Sequence, residues 1–145
     1  MKKLALILSV TTLLLIAAAC GSQSGNSTAS MEGAKVIKTV PMGNLTVTLS
    51  NDAGQLKKGD NEFLLNVKDS SGKNVEVNAV SLNLYMPAMG TMAEMNDQAS
   101  FATTKTPGVC RGKINVEVGG EWQAKVVYEG PAGKAETSFP VNVQQ

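Results

Sequence analysis

The segment Met86-Pro87-Ala88-Met89-Gly90-Thr91-Met92-Ala93-Glu94-Met95 holds four of the seven methionines of the chain, spaced every third residue, in a protein that contains no histidine. Without imidazole the common zinc, nickel and copper(II) sites lose their usual ligand, whereas clustered thioethers select soft copper(I). A thioether is neutral and needs no deprotonation, so such a site keeps its donors over a wide pH range. Met89, Met92 and Met95 are the candidate ligands for copper(I) or silver(I). Met86 is the weakest of the four, because strand alternation sends it into the core. Cys110 offers a further soft donor through its thiolate, although period two in residues 110–116 turns it inward as a small buried hydrophobe. Thr91 followed by Glu94 has the spacing of a capping box. A single helical turn starting there would bring Met92 and Met95 to one side, with Cβ atoms about 5–6 Å apart, and Met89 would complete the set from the preceding bend. Apolar cover for one end of the fold and a docking surface for another protein are the competing readings of the same residues.

Catalysis finds little to work with. There is no histidine to act as a base and no second thiol left for redox exchange once Cys20 is assigned below. No serine stands in a recognisable nucleophile arrangement, so the chain is expected not to be an enzyme. Asp97 and Glu94 could add an oxygen ligand or an electrostatic bias near the methionines.

Residues 1–19 have the form of a secretory signal, with Lys2 and Lys3 before an apolar run over 4–16 and the small residues Ala17-Ala18-Ala19 before Cys20. Small residues directly before a cysteine resemble a bacterial lipobox, which implies cleavage before Cys20 and its lipidation. The apolar run is shorter than the roughly 20 residues a spanning helix needs. Residues 20–34 then form a tether, uncharged over 21–30, that cannot build a core. The expected location is extracytoplasmic, lipid-anchored to the cell membrane or an outer membrane, facing the periplasm or the cell exterior. Removing Lys2 and Lys3 from thirteen basic residues leaves eleven against twelve acidic ones, which argues against a nucleic-acid partner.

The elements that must carry the methionines are strands. From residue 35 to 145 the apolar pattern has period two, as in Leu45, Val47, Leu49, then Phe63, Leu65, Val67, and Val80, Leu82, Leu84, Met86. Ile114, Val116 and Val118 alternate inward, Gly119-Gly120 reads as a tight hairpin turn, Trp122, Ala124 and Val126 continue the pattern on the returning strand, and Phe139, Val141 and Val143 follow. About seven short strands divided by Gly, Asn, Ser and Asp turns predict an all-β fold, a single antiparallel immunoglobulin-like β-sandwich. The expected core is Leu45, Val47, Phe63, Leu65, Val67, Leu82, Leu84, Ile114, Val116, Trp122, Val126 and Val141. Pro87 cannot donate to a ladder, so the methionine segment is expected to connect strands across one end of the sandwich.

Three pieces together are similar to the YtkA-like family of bacterial extracytoplasmic domains, related to the FixH-like proteins. They are Gly59-Asp60-Asn61-Glu62-Phe63 leading to residues 67–75, then Tyr85-Met86-Pro87-Ala88-Met89-Gly90, and Pro107-Gly108-Val109-Cys110-Arg111-Gly112 followed by residues 120–126. The resemblance spans roughly residues 44–143. It implies a β-sandwich, often carried by a lipoprotein anchor or found with heavy-metal efflux and oxidase-assembly proteins, and no enzyme activity. Family members often carry histidine just after the methionine segment, which is absent here, and an aromatic where Cys110 stands. The function expected is that of a lipid-anchored copper(I) or silver(I) carrier or buffer. The alternative is a metal-free accessory lipoprotein docking on an efflux adaptor or oxidase-assembly partner.

Overall fold

A computed structural model describes residues 33–145. The signal region, Cys20 and nearly all of the 20–34 tether lie outside the described residues. Ten strands follow in order: β1 (Lys35–Met42), β2 (Leu45–Asn51), β3 (Leu56–Lys57), β4 (Gly59–Asp69), β5 (Ala79–Met86), β6 (Met95–Gln98), β7 (Ser100–Thr103), β8 (Val109–Val116), β9 (Gly120–Gly130) and β10 (Gly133–Gln144). They form two five-stranded sheets, ordered β1-β2-β4-β8-β7 and β3-β10-β9-β5-β6. Every pairing is antiparallel except β3 with β10, which is parallel.

The all-β sandwich expected from period two is present, with ten strands rather than about seven. Each addition has a local reason. In β1 the register shifts between Val36 and Lys38, and the extra residue breaks the alternation that would reveal a strand. β3 is two residues long, and β6 and β7 are four each, too short to show a period. The long apolar run that begins at Val75 becomes a strand only at Ala79. Residues 74–78 instead cross from one sheet to the other, held by Val75 N–H donating to the Val67 carbonyl (3.0 Å) and by Tyr128 O–H donating to the Glu76 carbonyl (2.8 Å).

All twelve residues expected in the core are buried in one apolar cluster. Trp122 is fully buried and its indole N–H donates to the Val118 carbonyl at 3.1 Å, so the ring enters the core without an orphaned donor. In the other sheet the Phe63 ring lies against Gly112 and fills the space that a Cβ there would take. The ring meets Phe101 edge to face at 5.8 Å. Phe63, Gly112 and Phe101 thus pack within one sheet, while Trp122 belongs to the other, which carries the methionine hairpin.

Candidate functional site

β5 and β6 pair as the two arms of a hairpin, with Asn83 opposite Gln98, Leu84 opposite Asp97, Tyr85 opposite Asn96 and Met86 opposite Met95. Pro87 then interrupts the ladder, since it has no N–H to give. The arms meet again beyond it. Met89 N–H donates to the Met92 carbonyl at 3.1 Å and Met92 N–H to the Met89 carbonyl at 2.9 Å, around a two-residue turn of Gly90 and Thr91. Gly90 holds φ at 58°, a left-handed conformation that suits glycine at such a turn. The connection is therefore an extension of one sheet, and residues 87–94 are all exposed.

The turn fixes what the three-residue spacing means. The spacing is symmetric about Gly90-Thr91, so the hairpin opposes Met86 to Met95 and Met89 to Met92. Three is odd, and successive residues of an extended chain point to opposite faces. Met86 and Met95 take the inner face, while Met89 and Met92 lie where the hairpin is exposed on both faces. Met86 is 3% exposed and Met95 is half-buried against the core, while Met89 and Met92 are 57% and 45% exposed.

Three expectations for the site need correction. The helical turn at Thr91 does not form, because the arms gain two backbone hydrogen bonds as a hairpin and Thr91 is taken up by the turn. Glu94 accordingly caps nothing: its carboxylate accepts a hydrogen bond from the Tyr85 hydroxyl at 3.3 Å, and its charge holds that phenol above the usual tyrosine range. Met95 does not join Met89 and Met92 at the tip, since it forms the base of the hairpin opposite Met86, which is in the core as strand alternation predicts, roughly 10 Å back along the arms at strand rise. Cys110 is not beside the methionines at all. It is paired with Leu65 and Thr103 and lines a crevice with Val77, Asn78 and Val80 at the start of β5, whereas Met86 ends that strand. Six residues of strand separate the two places, about 20 Å. Burial also pushes the Cys110 thiol above its ordinary pKa, away from the thiolate a metal would need.

Asp97 lies opposite Leu84 and so shares the inner face with Met95. One of its carboxylate oxygens is buried without a hydrogen-bond partner, and it adds nothing to the exposed pair. Among the described residues no group of three or more Asp, Glu and Cys side chains is placed to hold a metal ion. The exposed thioethers are what remains. Met89 and Met92 exchange both backbone hydrogen bonds, a pairing with Cα atoms about 5.5 Å apart, so their flexible side chains can reach one soft cation. Tyr85 is 37% exposed near them and was not singled out as a candidate. The signal was available in its strand parity, opposite to that of Leu84 and Met86.

The YtkA-like family profile matches residues 40–127, from the end of β1 through most of β9. The chain belongs to the YtkA-like family. The match takes in the whole methionine hairpin, the Cys110 crevice and Trp122. No curated protein and no solved structure matches the chain significantly.

Proposed function

We propose that this YtkA-like protein is a lipid-anchored extracytoplasmic carrier or buffer of copper(I) or silver(I), with Met89 and Met92 as the exchangeable ligands. Its role on this reading is binding rather than catalysis. The observation that carries it is the cross-strand pair of exposed thioethers at the tip of a hairpin whose base is locked in the core. Two neutral donors on an open tip give a weak, quickly exchanging site, which suits handing a cation on rather than storing it. Anchoring through Cys20 would keep the domain at a membrane surface, where heavy-metal efflux or oxidase-assembly proteins would be the recipients.

A second reading is favoured by one feature of the same hairpin. Residues 87–94 are exposed without interruption and Tyr85 stands near them, which gives a small apolar projection able to dock on a partner without metal. An anaerobic copper(I) competition against a chromophoric chelator separates the two. The carrier reading expects the wild type to withdraw copper(I) and the Met89→Leu/Met92→Leu variant to withdraw at least tenfold less. Equal and negligible competition by both would leave the docking reading.

A further inference from the structure

A neutral thioether is a weak donor by itself, and a soft d10 cation is retained by gathering several of them. Among the described residues this chain exposes two, Met89 and Met92. Met42 and Met86 are 1% and 3% exposed and could reach the tip only by unfolding, and Met95 packs on the core. The Cys110 thiol is at the other end of β5. Within the described domain two thioethers are therefore on offer, half of a four-sulfur set.

The surroundings of the pair suit a second molecule. All of residues 87–94 are exposed, so two tips can meet before the sandwich bodies touch. Over 86–95 the only charged side chain is Glu94, and it accepts the hydrogen bond of the Tyr85 hydroxyl. Each tip thus brings a single carboxylate, so like-charge repulsion between two tips is limited to one pair of charges. A two-fold arrangement brings the same patch of each copy together and would place two Met89/Met92 pairs around one ion. The contact of two hairpin tips falls well below the roughly 1,000 Å² that a lasting interface requires, so the cation must hold it together.

We propose that Met89 and Met92 form half of a four-thioether site for copper(I) or silver(I), completed by the same pair of a second copy of this chain. This inference rests on the carrier reading above and adds its stoichiometry. It also makes cargo exchange a matter of one tip replacing another.

Native mass spectrometry of the full chain released from detergent, with silver(I) as the probe, counts chains and ions together. The expected result is a monomer without silver, a species of two chains and one silver ion at half an equivalent, and its loss on adding thiosulfate. Met89→Leu/Met92→Leu should stay monomeric and silver-free with unchanged Trp122 fluorescence, and Met31→Leu should dimerise like the wild type. One silver ion on a single chain would overturn the shared site and keep the carrier reading. No silver uptake would overturn both. Dimers without silver, or loss of the dimer in Met31→Leu, would overturn the shared site as well, the latter by placing the missing donor in residues 1–32.

Discussion

The base and the tip of one hairpin carry the same side chain in the same cross-strand arrangement, yet they do opposite work. Met86 and Met95 lie against Leu84 and the core, where an unbranched thioether fills an irregular gap. Met89 and Met92, three residues further along each arm, sit in water. Residue type therefore does not separate structural methionine from available methionine in this protein. Distance from the turn does: the base lies on the sandwich, whereas over residues 87–94 the hairpin is exposed on both faces.

The largest expected effect of breaking this contrast is on stability. Met86→Ala should cost about 2–5 kcal/mol, the range for emptying a buried site of this size, whereas Met89→Ala or Met92→Ala should stay within about 0.5 kcal/mol, as for surface positions. Urea unfolding followed through Trp122 measures both. Similar losses at base and tip would mean that the exposed pair is covered by something in the folded protein.

The contrast in binding is next in size. Met89→Leu/Met92→Leu exchanges sulfur for carbon at nearly constant volume, so copper(I) competition should fall at least tenfold while stability changes by less than about 1.5 kcal/mol per exchange. Met86→Leu should leave the competition as it is, and so should Cys110→Ser. A loss of binding in Cys110→Ser would contradict the separation along β5.

A smaller effect is expected at the turn. No heavy atom lies within 4 Å of a Cβ added to Gly90, so Gly90→Ala meets no clash and its cost comes from φ alone, about 1–2 kcal/mol for a left-handed residue with a side chain. That cost falls on the tip, and the predicted result is a few-fold weaker copper(I) competition with the unfolding free energy lowered by no more than that cost.

Cys110 should show the smallest effect. Burial raises its folded pKa above the ordinary 9.0, so in the unfolded chain the thiol ionises first as pH rises. The stability it contributes is fully present below that ordinary value and declines as pH climbs through it toward the folded value. Urea midpoints at pH 8 and pH 10 should therefore fall more in the wild type than in Cys110→Ser.

Much of the fold was legible because burial on one face imposes period two on the sequence. All twelve expected core residues are buried, but Gly119-Gly120 is not the hairpin turn its sequence suggests: β8 pairs with β4 and β7 and β9 with β10 and β5, so the two glycines carry the chain from one sheet to the other. The irregular parts were hidden by specific chemistry: the bulge in β1 breaks its alternation, and residues 74–78 are apolar without being a strand. At the site, the residue types were visible and their grouping was not. Thr91 and Glu94 satisfy a local helix rule that a two-residue hairpin overrode, and only the pairing of Met86 with Met95 shows where the sandwich ends and the exposed tip begins. Cys110 was read correctly as inward-facing; its distance from the methionines depends on strand order, which no local pattern records.

The central claim is that the outer methionine pair, and not the inner one, meets the cation. Methyl-13C labelling of methionine, followed by NMR during a silver(I) titration of the full chain, examines each thioether separately. The account predicts that the Met89 and Met92 methyl signals, assigned by their leucine variants, shift with silver while those of Met42 and Met86 stay in place. Unmoved Met89 and Met92 signals, or shifts centred on Met86 and Met95, would contradict it.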